Sequence, residues 1–241
     1  MSWDFALIFF ILAVLIPWRG RVKIKKLLAQ PEVGTMERIT LYAATIAFQW
    51  LLASAVAWRA WVHGYTPAQL GLTMTPRSKL FLVALVGGVT IALFQWFNLR
   101  RIARLPIARR GPLVAIAQRI FPRNVVELLP YFALSITAGL CEEFLYRGFV
   151  MAVLRHLGFS VWAVVLLSSA MFGLAHLYQG RSGFLGTLLV GTVLGMARIA
   201  YDSLVPVIFW HSALDLVAGV AGPKYLLSAS AATAEREASS E

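Results

Sequence analysis

Eleven acidic residues and four histidines are few for a chain of 241 residues, and they are unevenly placed. Glu142, Glu143 and Asp215, together with His176 and His211, fall inside long apolar stretches, and Arg147 joins them. A centrally placed Asp or Arg costs about 2.5–3.5 kcal/mol on membrane-insertion scales, so such residues normally face a protein cavity and pair there. Carboxylates and imidazoles are also the groups that move protons at neutral pH, which makes acid–base chemistry on a buried water the natural expectation.

Helical spacing refines this. Glu143 and Arg147 are i,i+4, share a face and can form an ion pair. Glu142 is rotated about 100° away and aims at a different neighbour. Two adjacent carboxylates in low dielectric do not both ionise cheaply. With Glu143 held by Arg147, Glu142 is the expected working acid/base. Phe172 and His176, and His211 and Asp215, are further i,i+4 pairs, each along one stripe.

The positioning elements are apolar runs at about 4–18, 38–58, 79–98, 131–157, 160–178, 183–201 and 204–222. Each is near the roughly 20 residues that cross a bilayer, the first being short. The expected fold is all-α, a polytopic transmembrane bundle of about seven spans with a buried polar active-site cavity. Residues 111–123 carry two arginines, are flanked by Gly111 and Pro122, and read as an interfacial segment. Gly158-Phe159-Ser160 reads as a turn between antiparallel helices. Glu142 lies 17 residues before Phe159 and His176 lies 17 after it. Both therefore reach about 25 Å below that turn at 1.5 Å per residue. The same arithmetic misses His211 by about ten residues, roughly 15 Å, unless the sixth span is re-entrant or strongly tilted. Gly191-x-x-x-Gly195 would allow a close helix approach.

Composition agrees: 59% of residues are hydrophobic and 14% charged, against about 25% charged in soluble domains. The net charge of +11 is concentrated in Arg19, Arg21, Lys23, Lys25 and Lys26, and in Arg100, Arg101, Arg104, Arg109 and Arg110. Both clusters abut spans, where positive-inside determinants and contacts to anionic lipid occur. No RNA- or DNA-binding signature accompanies them, so nucleic acid is not an expected partner. Two crossings separate the clusters, which places both in the cytoplasm, the N-terminus outside and the C-terminus, near Lys224, in the cytoplasm. Residues 4–18 read as a retained helix, since the cations follow the apolar run and no small-residue cleavage site appears. The single cysteine, Cys141, excludes an internal disulfide. Trp3, Trp18, Trp58 and Trp61 suit an aromatic belt, whereas His63 and His156 lie at helix ends and need no function. The stretch 228–241 is Ala/Ser-rich and reads as a disordered tail.

With Gly148, the motifs Glu142-Glu143-x-x-x-Arg147, Phe172-x-x-x-His176 and His211-x-x-x-Asp215 stand in "CEEFLYRGFV", "AMFGLAHL" and "LVPVIFWHSALDL". In order, they resemble the signatures of the CAAX protease and bacteriocin-processing (Abi) family, which includes the type II CAAX prenyl endopeptidases. The resemblance covers about residues 126–222, which suggests N-terminal helices with basic loops over 1–125, a catalytic bundle over 126–222 and a tail over 223–241. It implies an endopeptidase cutting near or within the membrane. By position, Glu142 would activate water with His176 as partner, His211 and Asp215 would stabilise the oxyanion or complete the site, and Glu143 and Arg147 would brace it. As a carboxylate is a poor donor, the oxyanion role falls chiefly to His211. A zinc ion on His176, His211 and either Glu142 or Asp215 is the alternative to a metal-free glutamate mechanism. The implied partners are a peptide or membrane-protein substrate, prenylated at the eukaryotic end of the family, and the lipid bilayer. A prokaryotic plasma membrane is the expected location. A bacteriocin-immunity or regulatory protein without catalysis, and a small proton-coupled transporter, are the competing functions.

Overall fold

A backbone in lipid must satisfy its own hydrogen bonds, so long apolar runs become helices. The computed structural model describes residues 2–73, 78–106 and 112–227, and helices dominate them. They are α1 (Trp3–Leu28), α2 (Thr35–Val62), α3 (Ser78–Ala103), α4 (Pro112–Ile120), α5 (Val125–His156), α6 (Val161–Ala175), α7 (Gly180–Tyr201) and α8 (Val205–Gly222). Local chemistry sets several starts. Glu37 accepts from the Gly34 backbone at α2, Asn124 accepts from the Glu127 backbone at α5, and Ser160 accepts from the Ala163 backbone at α6. Each satisfies an amide that a helix N-terminus leaves open.

Six of these helices are long and apolar enough to cross a membrane. The fifth expected span is instead the shorter α6, 15 residues, or about 22 Å at 1.5 Å per residue. It ends at His176, followed by the turn Leu177–Gln179 and Gly180 with φ +82°. The direction of the chain nonetheless alternates across seven segments. α2 runs parallel to α5, as the pairs Arg38–Glu127 and Gln49–Glu142 require. α8 runs antiparallel to α5, with Leu204 near Gly148, Ser212 against Gly139 and Gly219 against Tyr131.

Other boundaries depart from expectation. α1 continues as helix to Leu28, so Arg19 to Lys26 sit on a helix and not in a loop. The interfacial segment is the nine-residue α4, too short to cross. Arg109, Arg110 and the stretch 228–241 lie outside the described residues. Gly158 makes the expected turn with φ +86°.

α5 is central. α2 and α8 flank it, α3 covers α8, and α7 packs along α6. Side chains on Gly139 or Gly219 would collide with α8 or α5, a Cβ on Gly219 coming 1.9 Å from the Tyr131 ring. Gly219→Ala is expected to destabilise the bundle by about 1–3 kcal/mol, the usual cost of overpacking. It should lower the apparent unfolding temperature in detergent by several degrees, and an unchanged midpoint would contradict this α5–α8 contact.

Candidate active site

The site is built on the middle of α5, where the helix widens. Phe144–Val150 forms a π-helical segment immediately after the two glutamates, and such bulges recur at functional sites. Within it, the Tyr146 carbonyl accepts a hydrogen bond from Ser168 of α6 at 2.8 Å. The widening does not break the expected i,i+4 pair: Arg147 Nη1 donates to Glu143 Oε1 at 2.9 Å, both side chains fully buried. The Arg147 guanidinium also lies 4.2 Å over the Phe172 ring. A Cβ at Gly191 would come 2.9 Å from Arg147 Nη2, so that glycine leaves room for the cation. Gly195 similarly faces Val165, and the Gly-x-x-x-Gly pattern is the contact of α7 with α6.

Glu143 has a second partner that its spacing did not reveal. His211 Nδ1 lies 2.7 Å from the same Oε1. A carboxylate facing Arg147 accepts, so Nδ1 carries the hydrogen and its orientation is fixed. On the other side of the ring, Nε2 is 4.0 Å from Glu142 Oε2 and 3.8 Å from Asp215 Oδ2. Glu143, not Asp215, therefore orients the imidazole, while Asp215 faces the opposite nitrogen with a half-exposed carboxylate.

The depth mismatch expected for His211 is removed by helix pairing. α8 lies along α5 and α3, with only limited contact to α7, so the length of α7 does not set the height of His211. His176 caps α6, where its Nδ1 donates to the Phe172 carbonyl at 3.0 Å. The Phe172–Tyr146 ring contact sets the α5–α6 register, and one helical turn further His176 is level with Glu142. The Phe172 ring separates the two histidines, 4.8 Å from His176 and 5.6 Å from His211. Phe172 thus packs against the polar groups themselves.

Glu142 is anchored from outside the signature region. Gln49 Nε2, on α2, donates to its Oε1 at 2.7 Å. Its Oε2 is buried with no hydrogen-bond partner. Sequence reasoning found no motif before residue 126, and the only available signal for Gln49 was an amide in the otherwise apolar run of the second span.

The geometry thus converges on the motifs "CEEFLYRGFV", "AMFGLAHL" and "LVPVIFWHSALDL". Residues 124–217 match the family described as type II CAAX prenyl endopeptidase Rce1-like. Over that segment, which holds all three motifs, the chain is similar to this family. The matched family is one of proteases, and with six long apolar helices the chain is an integral membrane protein. No curated protein and no solved structure matches it.

Histidine and carboxylate are the right donor chemistry for zinc. Among the described residues, however, no group of three His, Cys, Asp or Glu side chains is arranged to hold a metal ion. Glu143 and the Phe172 carbonyl each accept from an Nδ1–H, which leaves the Nε2 atoms of His211 and His176 free.

Among the described residues, two of the surface hollows border the bundle. The larger, about 340 Å³ and bordered by His63, Tyr65 and His156, lies at the end of α5 remote from Glu142. The other, about 300 Å³, is lined by Arg21, Ile24, Lys25, Leu28, Leu177 and Tyr178 and begins beside His176.

Proposed function

We propose that this Rce1-like protein is an intramembrane endopeptidase in which Glu142 activates the attacking water. The observation that carries the reading is Glu142 Oε2, buried, without a protein partner and 4.0 Å from His211 Nε2. That separation is too long for a direct hydrogen bond and suits one bridging molecule. A water held there donates one hydrogen to Glu142. As its oxygen attacks the peptide carbonyl carbon, that proton passes to the carboxylate and the carbonyl oxygen becomes an oxyanion.

His211, held through Nδ1–H by Glu143, acts in its doubly protonated form. It directs Nε2–H at the oxyanion, and the surrounding carboxylates compensate its charge. Donors aimed in advance at developing charge are the strongest catalytic devices in a water-poor site. Collapse of the tetrahedral intermediate breaks the C–N bond. The proton taken by Glu142 goes to the leaving amine, directly or through the free Nε2 of His176, and the products are a carboxylate and an amine. Asp215 completes the wall opposite Glu142. Arg147 holds Glu143 in place. The substrate is a peptide or membrane-protein segment. The basic ends of α1 and α3 mark the cytoplasmic face, in keeping with a prokaryotic plasma membrane and a C-terminal end of α8 on that face.

The test is cleavage of a prenylated CAAX-type reporter and an unbiased peptide library by the purified chain in detergent. Wild type, His176→Ala and His211→Ala are compared with and without a chelator. Wild-type cleavage that persists in chelator and falls at least about 100-fold in each variant is expected, the usual scale for an acid–base group. Zinc-restorable loss in chelator would overturn the metal-free mechanism. Absence of cleavage, with biological activity intact in Glu142→Ala, would favour a non-catalytic binder.

A further inference from the structure

We propose that Gln49 is a positioning residue of this peptidase site, tying Glu142 by one oxygen so that the other faces His211. The inference rests on the assignment of Glu142 as the base. It also makes α2, which lies outside the matched residues 124–217, an obligatory wall of the site.

An amide in the middle of an apolar helix is retained in lipid only where it finds a partner. Gln49 has one: its Nε2 is 2.7 Å from Glu142 Oε1, whereas its own Oε1 has no partner. The amide is therefore not locked by a second neighbour, and the carboxylate alone dictates which end faces it. A hydrogen bond to an ionised acceptor is roughly twice as strong as a neutral one.

The reach of Gln49 is not accidental, because α2 is registered against α5 lower down. Arg38 Nε donates to the buried Glu127 carboxylate at 2.8 Å, Asn124 Nδ2 donates to Thr35 at 2.9 Å, and the Tyr42 and Tyr131 rings meet edge-on at 5.5 Å. These ties lie about two to four turns before Gln49 and hold the two helices parallel. The arrangement repeats on Glu142 what Glu143 does for His211: a neighbouring helix holds one atom and leaves the other free.

The titratable and charged groups around Glu142 are Cys141, Glu143, Tyr146 and Arg147 from α5, His211 and Asp215 from α8, and Tyr178 from the α6–α7 junction. All remain when Gln49 is changed, so a difference between wild type and variant isolates the amide.

The experiment compares the full chain in detergent as wild type and Gln49→Leu, with Gln49→Met as the more accommodating replacement should the leucine variant fail to fold. Outer-shell partners typically control about 10–100-fold in activity. Loss of the amide should lower kcat by that factor with KM within about twofold, and move the acid limb of the pH profile up by about one unit, since the hydrogen bond favours the charged form. A purely structural role would lower stability without moving that limb. Infrared titration of the carboxylate, assigned by difference against Glu142→Gln, should show the same displacement without any substrate. Acid limb and infrared midpoint both at wild-type values in a folded variant would overturn the inference. If wild type cleaves no peptide, the peptidase reading fails, while the infrared titration still decides whether Gln49 holds Glu142.

Discussion

Glu142→Gln is expected to lower kcat by about 1,000-fold or more, within the 10²–10⁴ range of a general acid–base group, while the protein remains folded. The substitution keeps the shape of the side chain, and the glutamine oxygen can still accept from Gln49, which now donates 2.7 Å from Glu142 Oε1. What disappears is a basic oxygen at the Oε2 position, 4.0 Å from His211 Nε2. An amide does not take a proton from water, so the attacking hydroxide equivalent is not formed. Because the carboxylate makes no ion pair with Arg147, its loss leaves no buried cation stranded, and the unfolding midpoint should change little. The check is kcat, KM and circular dichroism of purified wild type and variant on one reporter peptide. Activity within tenfold of wild type would remove Glu142 from the mechanism and transfer the base role to one of the histidines.

Glu143→Gln should be nearly as damaging, for a different reason. Glu143 Oε1 receives both Arg147 and His211 Nδ1, at 2.9 and 2.7 Å. A glutamine has one acceptor and one donor end. With the acceptor kept by Arg147, its NH₂ would face Nδ1, which must then accept, so the ring would be neutral and its Nε2–H a weaker donor to the oxyanion. A fall in kcat of about 10²–10³ is expected, the scale of losing one oxyanion donor. Stability should also fall, because Arg147 is fully buried and breaking a buried ion pair costs about 3–5 kcal/mol. The two effects separate experimentally. Unfolding temperature reports the Arg147 pair, and the shape of the pH–rate profile reports the state of His211. A folded Glu143→Gln protein with an unaltered profile and kcat within tenfold would show that Glu143 serves Arg147 alone.

Relations within one helix were legible in the sequence because helix pitch fixes them. The Glu143–Arg147 pair, the Phe172–His176 stripe and the turn at Gly158 follow from spacing and residue type, and the buried ionisable residues announced a cavity through the cost of inserting them. Relations between helices were less so. The turn at Gly158 ties α5 to α6, so counting from it put His176 level with Glu142. No short turn ties α8 to α5, and counting through α7 put His211 at the wrong height. Gln49 carried no signal beyond being an amide among apolar neighbours.

The sequence by itself therefore determined that carboxylates, imidazoles and a guanidinium would be enclosed by membrane helices, and which of them share a face. Only the tertiary structure decided that α8 lies along α5, that Glu143 rather than Asp215 orients His211, and that α2 supplies Gln49. The physical reason is that apolar helix faces are nearly interchangeable in lipid. Partner choice then rests on small-residue close approaches, such as Gly139 to Ser212 and Gly219 to Tyr131, and on polar pairs such as Arg38 with Glu127. These are three-dimensional coincidences that no spacing along one helix encodes.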